Sequence, residues 1–277
     1  MQLIHGIAEL RQRLAAESAV VFVPTMGNLH EGHLALVRQA REYGRCVIVS
    51  IFVNPLQFGP SEDFDRYPRT LAADCAQLDG LADVVFAPSV NEMYPEAQTL
   101  FVEPPPIAHE LCGASRPGHF RGMATVVLKL FNIVQPHVAL FGKKDYQQLH
   151  IIRMMANEFN LPLRIVGGET VRGGDGLALS SRNQYLDAVQ RAEAPQLHVV
   201  LQQIRTALLS GSRDFDALQM NAIAVLEARG WQVDYISIRT RQTLALPSAE
   251  TRDWVVLAAA RLGATRLLDN IEVFPVG

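Results

Sequence analysis

A run of β-branched and aromatic residues, Ala19 to Val23 (AVVFV), leads through a ten-residue corner into a helix-forming stretch, and that corner reads Pro24-Thr25-Met26-Gly27-Asn28-Leu29-His30-Glu31-Gly32-His33. Consecutive apolar residues of this kind read as a parallel strand buried on both faces. Glu31 to Tyr43, apolar at Leu34, Leu36, Val37 and Ala40, reads as an amphipathic helix. Gly27 and Gly32 allow main chain to approach a ligand, and the first amides of a helix lack intrahelical partners, so the corner suits an anion such as phosphate. His30 and His33 are three apart and share one helical turn. A zinc-protease helix would need H-E-x-x-H, but Leu34 stands where the second histidine belongs, so zinc is not expected.

Further along, strand and helix signals alternate: CVIVSIFV (Cys46 to Val53), a helix around Thr70 to Leu81, then DVVFAP (Asp83 to Pro88). Alternation predicts an α/β fold, a Rossmann-like doubly wound parallel sheet whose ligands bind at the carboxyl ends of its strands. Three loops then fall on one edge: Pro24 to His33, Asn54 to Gly59, and Gly142-Lys143-Lys144-Asp145 after HVALF (His137 to Phe141). Met123 to Val134 and Asp145 to Phe159 read as helices packed on the sheet, and Leu163 to Val166 as a further strand. Glycines at 167, 168, 173, 174 and 176 then mark a hinge. The reading places residues 1–175 in the Rossmann-like domain and 176–277 in a smaller α+β domain. There, helices are expected over Asp187 to Ala194, Pro195 to Leu209 and Asp214 to Arg229, with strands at Tyr235 to Ile238, Trp254 to Ala259 and Arg266 to Val273.

Charge narrows the partners. A formal net charge of −3 provides no basic field for tracking a nucleic acid. Three cysteines, Cys46, Cys75 and Cys112, are an odd number on segments that read as regular structure, which argues against a disulfide framework. No apolar run approaches the roughly 20 residues of a membrane span, and MQLIHGIAELRQRL lacks a signal-peptide core, so a cytoplasmic protein is expected.

Common nucleotide signatures fail. No G-x-G-x-x-G follows a strand, and FGKKD is not a Walker A motif, since His137 stands at the first glycine position and Lys144 at the Ser/Thr position. What remains is a histidine-bearing helix start, a lysine at a strand end, and Ser180-Ser181-Arg182 in a glycine-flanked loop. Together these offer imidazole, ammonium, hydroxyl and guanidinium groups to a triphosphate.

Six blocks carry a resemblance: PTMGNLHEGH; FVNPLQFG with Tyr67-Pro68-Arg69; RPGHFRGMATVVLKLFNIV (Arg116 to Val134); FGKKDYQQL; DGLALSSRNQYL; and TRLLDN (Thr265 to Asn270). In this order the chain resembles the pantothenate synthetase (pantoate:beta-alanine ligase) family, within the wider group of H-x-G-H nucleotidyl transferases. The resemblance implies adenylation of (R)-pantoate by ATP with release of pyrophosphate. Beta-alanine then displaces AMP from the pantoyl adenylate to give pantothenate. It implies that Met26, Gly27, Asn28, Leu29, His30, Glu31, Gly32 and His33 bind ATP, with His33 as proton donor or charge stabiliser and His30 assisting. Gly142, Lys143, Lys144, Asp145, Val171, Leu179, Ser180, Ser181 and Arg182 would complete the nucleotide site, with Lys144, Ser180, Ser181 and Arg182 in the chemistry. Gln57 and Gln148 would hold pantoate, Gln57 also meeting beta-alanine; Asn54, Pro24 and Thr25 are assigned to the same pocket. Mg2+ would bridge ATP oxygens with no dedicated protein ligands, and a homodimer is implied.

The chain departs from the family pattern at Lys143, Glu169 and Gly173-Gly174, which bears on closure of the Ser180 loop. On the residues alone, His30 and His33 have a rival reading as helix caps bonded to backbone, and Ser180 and Ser181 as turn formers. His119 and Arg121 lie in what reads as a loop, RPGHFRG. Two rival functions are a nucleotidyl transferase acting on a phosphorylated substrate, which releases no AMP, and a regulatory module that binds ATP without turnover.

Overall fold

In the computed structural model, which describes residues 1–60 and 62–274, the expected alternation is realised as a six-stranded sheet, parallel throughout. Its strands are β1 (Gln2–Ile4), β2 (Val20–Thr25), β3 (Cys46–Ile51), β4 (Val84–Phe86), β5 (Val138–Gly142) and β6 (Arg164–Gly168), in the order β1-β4-β3-β2-β5-β6. Between them run α1 (Ile7–Leu14), α2 (Glu31–Ala40), α3 (Leu71–Leu78), α4 (Val90–Met93), α5 (Cys112–Ser115) and α6 (His119–Val134), with α7 (Tyr146–Glu158) between β5 and β6.

The central strands are apolar at most positions because both faces are covered. Val20, Phe22, Ile48, Phe86 and Ala139 join one cluster with Leu10 of α1, Met123 and Phe131 of α6, and Leu149 and Ile152 of α7. Their strand neighbours Val21, Val23, Val47, Val49, Val85 and Leu140 join another, with Leu34, Val37 and Ala40 of α2 and Leu78 of α3. A period of two sends alternate side chains to opposite faces, and each fully buried aliphatic residue contributes about 1.5–3 kcal/mol. From β2 the chain builds outward through β3 to β4, then returns to place β5 on the other flank of β2. The β2/β5 boundary is therefore the topological switch point, and the loops after β2, β3 and β5 leave its carboxyl edge together.

Downstream, β7 (Gln232–Thr240), β8 (Trp254–Leu262) and β9 (Thr265–Val273) form an antiparallel sheet in that order. Helices α9 (Gln196–Leu209) and α10 (Phe215–Glu227) pack on it, preceded by α8 (Ala188–Glu193). Leu197, Leu201, Ile204, Leu226, Trp254, Val256 and Ala258 make this core. Packing divides the chain into two compact units: Met1–Lys143 with Gln148–Glu169, and Lys144–Gln147 with the chain from Thr170 onward. A single cut after residue 175 could not anticipate the four-residue insert, because composition carries no trace of the long-range bonds that hold it.

Two differences from the sequence reading have physical causes. The first element pair, β1 and α1, has no counterpart in that reading; β1 is short and takes its place by parallel register with β4, Gln2 against Val84. Helix α6 begins at His119, not Met123, so RPGHFRG is only half loop. Gly122, within that expected loop, is helical, and a Cβ there would lie 1.9 Å from the Leu56 carbonyl oxygen. The glycine serves close approach between α6 and the turn Pro55–Gln57. Among the described residues no helix is long and apolar enough to cross a membrane.

Candidate active site

At the β2–α2 corner both histidines cap the helix. His30 is the N-cap of α2, and its Nδ1 accepts the Gly32 amide at 3.1 Å, while His33 Nδ1 accepts the His30 amide at 3.3 Å. This is a capping box built from two imidazoles, where Ser/Thr and Glu/Gln are usual. An Nδ1 that accepts a backbone N–H carries no proton, so in each neutral ring the proton sits on Nε2. Capping thus fixes the tautomer: both rings, with centroids 4.1 Å apart, carry an Nε2–H donor.

The corner differs from expectation in where its donors lie. The amides of Gly27, Asn28, Leu29, His30, Gly32 and His33 all have acceptors within the protein. Asp74 of α3, 1% exposed, takes Asn28 at 3.0 Å and Leu29 at 2.8 Å, and accepts the Thr70 hydroxyl at 3.1 Å. It secures a turn in which Gly27 and Asn28 both have positive φ. The imidazoles, more than the backbone, are therefore the donors the corner offers an anion. Thr25 donates its hydroxyl to the Ser50 carbonyl, bracing β2 on β3, and Glu31 pairs at the surface with Arg38.

Beside this corner, the turn after β3 presents Gln57, 8% exposed. Asn54 orients it. Asn54 Oδ1 accepts the Leu56 amide at 3.3 Å and the Tyr94 hydroxyl at 2.9 Å, which leaves Nδ2 to donate to Gly122 O and Gln57 Oε1, each at 3.2 Å. Burial pushes the Tyr94 phenol above its ordinary value, so it remains an O–H donor. With its oxygen taken, Gln57 turns its Nε2 toward Met26 Sδ, 2.9 Å away. Its carbonyl accepts from His119 Nδ1 at 2.8 Å, and Arg116 meets His119 Nε2 at 3.1 Å and Glu62 at 2.5 and 2.7 Å. Burial would raise the Glu62 carboxyl, but the Arg116 guanidinium more than offsets this and holds it below its ordinary value. Gln148 lies half-buried in the first turns of α7, leaving the same sheet edge as Gly142 and Lys143.

The second unit carries the remaining assigned residues. Val171 and Leu179 close a hairpin through the Leu179 amide and Val171 carbonyl at 3.0 Å, with a bridge between Arg172 and Ala178. Ser180 Oγ accepts the Arg182 amide at 3.3 Å, capping the turn Ser181–Tyr185. Lys144 Nζ stands 3.7 Å from Asp145 Oδ2. In the hairpin, Gly176 takes positive φ and the departing pair Gly173-Gly174 does not. The other two departures pair with each other: Lys143 Nζ meets Glu169 Oε1 at 2.5 Å, in the first unit.

A parallel sheet with two tautomer-locked histidines at its switch point is set beside known proteins most directly by sequence. The pantoate-beta-alanine ligase family model matches residues 2–272. The chain belongs to the pantoate-beta-alanine ligase family. Pantothenate synthetases of Nitrosospira multiformis and Chromobacterium violaceum are each 58% identical to it over 276 residues, covering 99% of this chain and 99% and 100% of theirs. Among solved structures, a Thermus thermophilus pantothenate synthetase superposes with a TM-score of 0.95 at 46% identity, covering 99% of this chain and all of that one. A Francisella tularensis pantoate-beta-alanine ligase, solved with beta-gamma ATP and beta-alanine, gives 0.82 at 34% identity over 98% of this chain and 97% of that one. Membership of this ligase family makes the chain an enzyme, and its fold is that of these structures.

Sequence reasoning missed Asp74 and Tyr94. Asp74 left one readable signal, a lone carboxylate on the otherwise apolar inner face of α3; Tyr94 left none.

Proposed function

We propose that this ligase condenses (R)-pantoate with beta-alanine at the expense of ATP, through a pantoyl adenylate. A pantoate carboxylate oxygen attacks the α-phosphorus and pyrophosphate leaves. The beta-alanine amine then attacks the acyl carbon, the C–O bond to AMP breaks, and the amine sheds a proton to give the amide. The activation is needed because a carboxylate resists an amine, whereas AMP is a good leaving group. The observation that carries the reading is the histidine pair, whose Nδ1 atoms are held by backbone so that both Nε2–H groups can stabilise charge on the transferring phosphoryl group.

On this reading Met26 to His33 line the nucleotide. His33 serves the reacting phosphate and His30 its neighbours. Gly142, Lys143, Lys144, Asp145, Val171 and Leu179 to Arg182 complete the site, Lys144 and Arg182 supplying positive charge. Gln57 donates through Nε2 to pantoate oxygens, Gln148 joins it, and Asn54 orients Gln57 from behind. Support comes from the Francisella ligase, whose structure was determined with beta-gamma ATP and beta-alanine. Mg2+ would be held by phosphate oxygens and water, since that ion keeps several waters and needs few protein ligands. We also propose a homodimer as the working form.

Pantoate-dependent exchange of labelled pyrophosphate into ATP, without beta-alanine, tests the intermediate. Exchange is expected; an active enzyme that shows none would reject the adenylate. Mass spectrometry of the products, each reactant omitted in turn, separates a ligase from a nucleotidyl transferase by the appearance of AMP.

A further inference from the structure

Three pieces assigned above to the nucleotide side of the second unit lean on one strand, β9. Asn270 Nδ2 donates to the Lys144 carbonyl at 2.9 Å, and Glu272 Oε1 accepts the hydroxyl of Tyr146 at 2.8 Å. Asp269, 4% exposed, takes both guanidinium nitrogens of Arg172, at 2.6 and 2.8 Å, and Arg172 also donates to the Asn270 carbonyl at 3.1 Å. Arg172 sits in the hairpin closed by Val171 and Leu179, and the turn Ser181–Tyr185 that follows packs on β9 itself. Asp269 Oδ1 accepts the Asn270 amide at 2.7 Å, so the two residues brace each other. TRLLDN, a sequence block with no role in the scheme above, supplies both.

We infer that Asp269 and Asn270 are positioning residues for catalysis, fixing the main chain of Lys144 relative to the Val171–Arg182 loop so that the second unit presents its cationic groups to the phosphates as one preassembled set. A lysine side chain is flexible, and its ammonium is placed by wherever its backbone is held. Lys144 follows β5 in sequence, yet Asn270 and the Tyr146–Glu272 bond hold its segment in the second unit. Preassembly removes from the reaction the cost of gathering these charges. The inference rests on the assignment of Lys144 to the nucleotide.

Steady-state kinetics of the full chain with ATP, Mg2+, pantoate and beta-alanine test it. Asn270→Asp preserves shape but sets an acceptor against the Lys144 carbonyl. Its KM for ATP should rise about three- to tenfold, as for one lost hydrogen bond, with KM for pantoate unchanged. Tyr146→Phe, which removes the bond to Glu272, should shift the same constant in the same direction, and serves alone should Asn270→Asp fail to fold. Arg266→Gln, on β9, breaks the 2.6 Å contact with Asp234 of β7 and controls for weakening of the sheet. It should lower Tm without changing KM for ATP. Lys144→Ala separates the two layers of argument. An unchanged KM for ATP and kcat in that variant would overturn the nucleotide assignment and the inference with it. A defect in Lys144→Ala, with wild-type kinetics in folded Asn270→Asp and Tyr146→Phe, would overturn the positioning inference alone. So would an equal rise in Arg266→Gln.

Discussion

The two regions that carry the assigned nucleotide residues are built by opposite means. At the β2–α2 corner the histidine cap is local: His30 and His33 hold each other's turn across two or three residues, and Asp74 takes the loop amides of Asn28 and Leu29 from outside. In the second unit, Lys144 is held from 126 positions away and Arg172 from 97. The corner's histidine cap lies within its own ten residues, whereas the second region exists only once β9 is in place. Loss of function should therefore come from different causes in the two regions: altered chemistry in the first, misplacement and instability in the second.

The largest effect that would sharpen this contrast is on stability. Arg172→Met takes both guanidinium bonds from the buried Asp269, leaving His198 Nδ1 at 3.3 Å beside it, and should cost about 3–5 kcal/mol in chemical unfolding. A loss below about 1 kcal/mol would mean that the hairpin is not held by this pair. His33→Ala should instead act on turnover, lowering kcat/KM by about 2.7–4 kcal/mol, as removal of a transition-state donor does. It should cost about 1 kcal/mol of stability through the lost cap. An inactive His33→Ala protein whose stability falls as far as that of Arg172→Met would erase the distinction. Gly122→Ala drives a methyl into the Leu56 carbonyl and should destabilise by about 1–3 kcal/mol, with KM for pantoate rising as Gln57 shifts. Glu169→Gln should change stability by less than about 1 kcal/mol, because its partner Lys143 meets it at the surface.

Acid should find the second region first. Burial would raise the Asp269 carboxyl, but nearby His198 and Arg172 more than offset this and hold it below its ordinary value. A lowered folded value means a contribution fully present above the unfolded carboxylate range, near pH 4, and lost as pH falls further through the folded value. Denaturation followed down through that range should show a steep loss that Asp269→Asn lacks. Parallel curves for both proteins would remove Asp269 from the acid response.

The legibility of each part follows from the range of its bonds. The parallel sheet could be read because buried strands are uniformly apolar and α2 shows Leu34, Leu36, Val37 and Ala40 at helical spacing, all of them buried. The short β1 could not, since three residues carry no period and their pairing depends on β4. The sequence places the start of α6 too late because the apolar run begins at Met123, whereas the first turn, His119 to Gly122, carries no such run. At the corner the structure shows the capping reading, and the cap sets the tautomer that the proposed catalytic role uses. Lys143 and Glu169 read as two separate departures, and only the fold shows them to be partners.

By itself the sequence determined the sheet, the histidine corner and, through its ordered blocks, the ligase family, because periodicity and short motifs are fixed by neighbours along the chain. Only the tertiary structure decided that Asp74 occupies the loop amides, that Asn54 and Tyr94 turn Gln57 nitrogen-first, and that Lys144 is held by β9. Each of these depends on a hydrogen bond whose partners meet only after burial removes water from both. That geometry leaves no periodic trace in the order of residues.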